Sequence, residues 1–377
     1  MAPEIVFKEL EGLSLSQVVL DPMSGSGTVL RAAAECGHGA IGFDLDPLAV
    51  LMARVWTTPF KVGSLPKAAE GLVHKARQLD DEYLPWMDDC QDTKEYVKFW
   101  FCRKQRRALR RLSYVLMAKS GALADAMRIA LSRIIITKER GASVARDTSH
   151  SRPHRVFLEN EYDVYDGFLQ SARRLAARLE PEKILGSVAV KRGDARRLTS
   201  LAPRSVDVII TSPPYLNAID YLRGHRLSLV WLGYTLSEIR ALRSHSIGAE
   251  NSIAGGIPTS TLDRLLHEAG DVQKLPSGEL GMVRRYAGDV SKFMKELARV
   301  ARKGGRVLLV VGNSCLKGVP ISNADISIAA AKRAGLEPIG RSERALAVAH
   351  RYLPLSASKS GSLARRIHTE TLLSFSV

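Results

Sequence analysis

Four consecutive residues, Ser212-Pro213-Pro214-Tyr215, have the types needed to hold a flat ring that carries an amine. A serine hydroxyl offers two lone pairs. The carbonyl of Pro213, fixed by the ring of Pro214, offers a second acceptor from a rigid backbone. Two acceptors aimed at one point suit an NH₂ group. Tyr215 adds a face on which a flat ring can stack. This is how an exocyclic amine is held when a base is taken out of its stack. A tight turn with a core tyrosine has the same composition. The quartet's place, at the end of the apolar run "DVIIT" in a strongly basic chain, favours the amine reading.

A second constellation lies near the start. In "DPMSGSGT", Asp21 to Thr28, Gly25 and Gly27 allow the backbone to pass close to a ligand. No G-K-[ST] follows, so this is not a Walker phosphate loop. Asp44, in "IGFDLDP", follows about twenty residues later, where a carboxylate accepts from ribose hydroxyls. Asp194, in "KRGDA", is placed to meet an adenine edge. Any one of these aspartates alone reads as a strand-end cap. Three of them in register with a glycine turn point to a nucleoside-bearing ligand.

These residues need strands that end together. "QVVLD" reads as a buried strand, "TVLRAAAECG" as a helix closed by Gly37, and "GAIGFDLDP" as a second strand. "SVAVKRGDA" and "VDVIITSPPY" are further strands, and proline stops the latter because it has no N–H for the ladder. "DVSKFMKELARVARKGG" reads as an amphipathic helix stopped by Gly304-Gly305, "RVLLVVGN" as a strand, "ISIAAAKRAGL" as a helix and "TETLLSFSV" as a terminal strand. The alternation predicts an α/β fold, a Rossmann-like open twisted sheet with helices on both faces, whose ligands bind at the carboxyl ends of the strands.

From about Leu65 to Leu185 this pattern gives way to a basic, mostly helical stretch. In "EYVKFWFCRKQRRALRRLSYVLMA", Val97, Phe101, Ala108, Leu112 and Val115 fall near helical spacing, and Arg103, Arg106, Arg107, Arg110 and Arg111 crowd the other faces. "KERGASVARDTSHSRPHRV" reads as a basic loop. The expected organisation is a first catalytic part at 1–62, a helical basic insertion at 63–185 and a second catalytic part at 186–377.

The chain of 377 residues carries a net charge of +16, which predicts a polyanionic partner. With 45% apolar residues it can bury a sizeable core. No run of 18 apolar residues and no signal-peptide pattern occurs, so a cytoplasmic protein without a membrane partner is expected. The four cysteines, Cys36, Cys90, Cys102 and Cys315, make no C-x-x-C pair. His150 and His154 have a metal-ligand spacing, but Pro153 between them breaks the helix it requires, and no metal is expected.

"DPMSGSGT", "IGFDLDP" and "TSPPY" together resemble the S-adenosylmethionine-dependent DNA amino-methyltransferases, which methylate cytosine N4 or adenine N6. The likeness covers roughly residues 15–60 and 186–377. It implies a class I methyltransferase sheet, S-adenosylmethionine as cofactor and double-stranded DNA as substrate. It implies that Asp21, Pro22, Ser24, Gly25, Gly27, Thr28, Asp44 and, on a looser match, Asp194 bind the cofactor. Ser212, Pro213, Pro214 and Tyr215 match the catalytic motif. The glycine motif precedes the catalytic motif here, the reverse of several family groups. Family members usually carry a segment before the first strand that helps close the methionine end of the site; here residues 1–16 stand in that place.

The implied chemistry is positioning and electrostatics with no covalent nucleophile. No Pro-Cys occurs, which disfavours cytosine C5 methylation. Ser at the first position of the motif, rather than Asp, favours cytosine N4 over adenine N6. Arg107, Arg110, Arg152, His154 and Arg155 are candidate nucleic-acid contacts, and Arg351 a weaker one. Asp220, Arg223 and Arg226 are candidates to shape the base pocket, while Trp231 reads as core. A cognate restriction endonuclease is a candidate partner. Rival readings are an RNA guanine-N2 methyltransferase, a protein glutamine methyltransferase and a non-catalytic nucleic-acid-binding protein on the same fold. Asn at the Ser212 position would suit the second rival, and an appended RNA-binding domain the first.

Overall fold

The structure, a computed structural model, describes the chain except residues 15, 138–139, 147–153, 156–157, 180–183, 217–220, 249–256 and 346–368. The chain falls into two compact units. One comprises Met1–Leu45, Leu185–Ile219 and Ser244–Val377, the other Asp46–Ile184 and Asp220–Arg243. Each encloses its own apolar core. The helical unit thus also takes in residues 46–62 and Asp220–Arg243, beyond the 63–185 drawn from sequence.

The first unit is built on seven strands: β1 Val18–Asp21, β2 Gly39–Asp44, β3 Val188–Arg192, β4 Val206–Thr211, β5 Ala301–Val311, β6 Glu337–Ala345 and β7 Thr369–Ser376. They lie in the order β3-β2-β1-β4-β5-β7-β6. The pairs among β1 to β5 are parallel, and β7 runs antiparallel to both of its neighbours. Helices cover both faces. This is the Rossmann-like class I methyltransferase sheet expected from the sequence. A central parallel strand is covered on both sides, which is why β4 is a near-continuous apolar run with Val208, Ile209, Ile210 and Thr211 all buried. From β1 the chain fills the sheet outward to β3 on one side and then outward from β4 on the other, so the boundary of β1 and β4 is the switch point where such sheets bind ligands.

The glycine pair at 304–305 behaves differently from its sequence reading. The helix Ser277–Val300 ends before it, at an extended Ala301, and β5 begins at once. Gly304 has φ +75°, and a Cβ on Gly305 would meet the carbonyl oxygens of Arg302 at 2.8 Å and Asp207 at 3.0 Å. Pairing with β4 skips from Val206–Ala301 to Val208–Arg306. The glycines therefore shape a bulge on entry to β5 rather than a helix stop. Gly335, by contrast, closes the helix Asn323–Ala334 in the left-handed conformation, as a C-terminal glycine should.

The second unit is helical. The single period read across "EYVKFWFCRKQRRALRRLSYVLMA" is broken: helices run Gln91–Trp100 and Arg103–Met117. Phe101 between them is extended at φ −137°. Its ring is 2% exposed and meets Trp231 edge-on at 5.1 Å. Phe101 and Cys102, both extended, separate the two helices. In the basic loop, Ala145–Arg146 and His154–Arg155 pair as a short antiparallel ribbon.

Candidate active site

The glycine turn is fixed by what surrounds it. Ser24 N–H donates to the Phe43 carbonyl at 2.8 Å, and Gly25 N–H donates to the Asp44 carboxylate at 2.9 Å. The turn after β1 is thereby hung from the end of β2. Gly25 (φ +50°) and Gly27 (φ +90°) take the left-handed backbone that the tight turn requires. Pro22 is buried, and Thr28 opens the helix Thr28–Glu35.

Three features here suit the expected cofactor. No side chain caps the helix at Gly27, which leaves its first N–H groups available to an anionic group. A Cβ on Gly25 would meet nothing within 4 Å, which leaves open space over the turn. Ser24 Oγ is buried without a hydrogen-bond partner.

Asp21 plays a supporting part. Its carboxylate is 3% exposed and accepts from Met23 N–H at 3.1 Å and from Thr211 Oγ1 at 2.7 Å. Burial pushes its pKa up to about 7, against the pull of these two hydrogen bonds, and the charge of Asp44 adds to the rise. Thr211 immediately precedes the Ser-Pro-Pro-Tyr corner. One buried hydrogen bond therefore links the glycine turn to the strand end that carries the Ser-Pro-Pro-Tyr corner, across 190 residues of sequence.

At the corner, Ser212 Oγ donates to the Val310 carbonyl at 3.0 Å. With its proton used there, the hydroxyl keeps lone pairs for accepting. Tyr215 Oη lies 3.4 Å from Ser212 Oγ and donates to Glu370 Oε1 at 3.3 Å. Pro213 is buried and Pro214 exposed.

Asp194 is engaged more fully than its sequence reading anticipated. The guanidinium of Arg196 grips both of its oxygens, at 2.7 Å for the shortest contact, and reaches Asp289 at 2.7 Å and the His245 carbonyl. Asp289 is 1% exposed. Burial pulls the Arg196 pKa down, and the hydrogen bond to Asp194 with the charge of Asp289 more than reverses it. Asp194 thus meets any ligand already carrying a cation.

The basic candidates belong to the helical unit. Arg107 is half-exposed and pairs with Asp81 at 3.1 Å. Arg110 is occupied: it holds Asp88 through two nitrogens and donates to the Glu82 carbonyl at 2.9 Å, with a side chain 20% exposed. It braces the unit's own packing. Arg103, Lys104, Arg107, Arg111, Tyr162 and Tyr165 line a cavity of about 680 Å³. Arg155 lies over the Phe99 ring at 5.1 Å. Arg226 lies over Tyr96 at 5.4 Å, Arg223 is half-buried, and Trp231 is buried at 1% exposure. Arg152, Asp220 and Arg351 lie outside the described residues, as do His150 and Pro153. Among the described residues no group of His, Cys, Asp or Glu is set to hold a metal ion, and no helix is long and apolar enough to cross a membrane.

Comparison with known proteins bears on what this site does. The type II methyltransferase M.BsoBI of Geobacillus stearothermophilus is 22% identical over 404 residues, covering 87% of this chain and 74% of that protein. M.MvaI of Kocuria varians is 22% identical over 335 residues, covering 80% and 71%. This chain is similar to type II methyltransferases. M.MjaII of Methanocaldococcus jannaschii is 29% identical over 101 residues, 26% of this chain. No family model matches. Among solved structures, a SAM-dependent methyltransferase of Methanosarcina mazei is 10% identical with a TM-score of 0.35, so the fold assignment rests on the strand order itself.

Sequence reasoning did not find Thr211, Arg196, Asp289 or Glu370. Arg196, two residues after Asp194, was within reach as a local ion pair. Glu370 carried no signal, because only the antiparallel placement of β7 brings it to the corner.

Proposed function

We propose that this chain is an S-adenosylmethionine-dependent DNA methyltransferase that methylates the exocyclic amine of a base extruded from the duplex, cytosine N4 in preference to adenine N6. The observation that carries the reading is the buried bond from Thr211 to Asp21 at 2.7 Å, which ties the glycine turn to the amine-binding corner. The similarity to type II methyltransferases supports it.

The bound cofactor supplies an electrophilic methyl group; everything else falls to the protein. Gly25 leaves open space for it, the uncapped helix start at Thr28 would receive its carboxylate, and Asp44 would hold its ribose. Ser212 Oγ and the Pro213 carbonyl would accept from the two amine hydrogens and so orient the amine. Because the Ser212 proton is spent on Val310, the hydroxyl acts on the amine as an acceptor. A neutral acceptor in place of a carboxylate is the ground for preferring cytosine N4. Tyr215 stacks on the base. Tritiated methyl transfer to duplex DNA, followed by nucleoside mass spectrometry, tests the reading. N4-methylcytosine is expected; N6-methyladenine alone would overturn the choice of base, and no transfer would overturn the reading.

Asp44→Ala is expected to weaken S-adenosylmethionine binding by about 1–3 kcal/mol, the scale of charge-assisted hydrogen bonds lost to the ribose and to Gly25. Calorimetry reads this directly, and unchanged affinity would move the ribose site elsewhere.

DNA phosphates are proposed to meet the cavity lined by Arg103, Lys104 and Arg107. Reversing Arg103 and Arg107 to glutamate is expected to weaken binding on all sequences. The slope of log K against log salt should fall by about one for each phosphate contact removed. A slope equal to the wild type's makes this helix a solvated face. Arg110 is left out of the test because Asp88 already holds it. A restriction endonuclease of matching specificity is the partner that this reading implies.

A further inference from the structure

We propose that Glu370 is a positioning residue for the reaction and the terminal acceptor of a proton relay running from the amine through Ser212 and Tyr215. The inference rests on the amine-methylation reading above. Its basis is the reversal of β7. Because β7 enters the sheet antiparallel, its first residues lie at the edge where β4 and β5 end: Thr371 pairs with Val311, one residue beyond the carbonyl that Ser212 engages. That brings Glu370 Oε1 to 3.3 Å from Tyr215 Oη, which in turn is 3.4 Å from Ser212 Oγ.

Glu370 keeps a carboxylate oxygen toward Tyr215 Oη. The cation opposite it on β6, Arg344, pairs with Glu4 at 4.0 Å. Among the described residues Glu370 forms no ion pair, and Tyr215 is its hydrogen-bond partner. It is half-buried, so a proton delivered to it has a way to solvent.

The steps balance. As the N–CH₃ bond forms, the electrons of the S–CH₃ bond stay on sulfur and the amine nitrogen becomes cationic. That nitrogen gives a proton to Ser212 Oγ. The serine's own proton swings from the Val310 carbonyl to Tyr215 Oη, and the tyrosine's proton passes to the Glu370 carboxylate. Serine and tyrosine end as they began; Glu370 ends protonated and reloads by releasing the proton to water. The separations at Tyr215 are long for hydroxyl hydrogen bonds and must shorten by a few tenths of an ångström when a base fills the corner, as catalytic hydrogen bonds commonly do.

Three readouts test this on the full chain. In the protein without cofactor or DNA, phenolate absorbance is followed against pH, with Tyr215→Phe subtracted to isolate one phenol. Glu370→Gln should lower the Tyr215 midpoint by about half a unit or more, because the carboxylate favours the neutral phenol. In tritiated methyl transfer to duplex DNA, Glu370→Gln should lower kcat about tenfold and abolish the acidic limb of the kcat–pH profile, with S-adenosylmethionine affinity unchanged by calorimetry. In a Tyr215→Phe background, which keeps the ring and breaks the relay, Glu370→Gln should cost less than about twofold more. An unshifted Tyr215 midpoint, a wild-type pH profile in Glu370→Gln, or an undiminished loss in the Tyr215→Phe background overturns the relay while amine methylation stands. A wild-type chain that transfers no methyl group overturns both.

Discussion

Arg196→Met is expected to lower the stability of the sheet unit by about 3–5 kcal/mol, the cost of breaking a buried ion pair from one side. Asp289 is 1% exposed, and its second oxygen is buried without a partner. Its charge is therefore compensated largely by Arg196, at 2.7 Å. Removing the guanidinium leaves that carboxylate in the core with little to offset desolvation, and frees Asp194 from the same grip. Arg196→Lys should be almost as harmful, because a point charge cannot span Asp194, Asp289 and the His245 carbonyl as a planar fork does. The double variant Arg196→Met/Asp289→Leu should recover most of the loss, since both charges leave together. Urea denaturation measures all three. A loss of under about 1 kcal/mol in Arg196→Met would mean that water or backbone already satisfies Asp289.

Asp21→Asn is expected to stabilise the protein, and to do so more strongly as pH rises. The Asp21 pKa stands at about 7, above the ordinary carboxylate value of 3.8, with burial as its main cause. The folded state thus holds this proton more tightly than the unfolded chain does. The carboxyl's contribution to stability is complete below the ordinary carboxylate range and is lost as pH climbs toward and through 7. Asparagine is neutral throughout and still offers an oxygen to Thr211 and to Met23 N–H. Its advantage should grow by roughly 2–3 kcal/mol between about pH 5 and pH 8, taking 1.36 kcal/mol per unit. Thermal melts of the two proteins across that range check it. Parallel curves would show that Asp21 is ionised in the fold at both ends of the range.

Why some of this was legible and some was not follows from range. "QVVLD", the glycine turn and "GAIGFD" form a local β–α–β unit, and hydrophobic runs, glycines and strand-end aspartates announce it within thirty or so residues. The two prolines after Thr211 end β4 by their own chemistry. Phe101 was misjudged because helical spacing counts apolar residues without knowing that Trp231 waits for the ring's edge. Gly304-Gly305 has the composition of a helix stop, and nothing in the sequence shows the Asp207 carbonyl that a side chain on Gly305 would strike. β6, "EPIGRSERA", is largely exposed and charged along its length, the mark of an edge strand and a weak strand signal. Arg110 is one cation among many in the sequence, and only the fold brings Asp88 and Glu82 around it.

The pairing of β2 with β3 has a consequence for how new variants of such a protein arise. Asp44 lies in register with Arg192, so adjacent parallel strands are joined by an excursion over residues 45–187. Loop-closure entropy grows only logarithmically with length. Replacing an ordinary crossover of about twenty residues by one some seven times longer costs only about 1–2 kcal/mol for a flexible chain, and the core that the excursion forms together with Asp220–Arg243 offsets that cost. The bonds that hold the glycine turn, Gly25 to Asp44 at the end of β2 and Thr211 to Asp21 beside the corner, both lie on the sheet side of this splice. Recombination that exchanged the excursion together with its packing partner Asp220–Arg243 would leave those bonds in place, so the helical unit can diverge while the strand ends stay constrained.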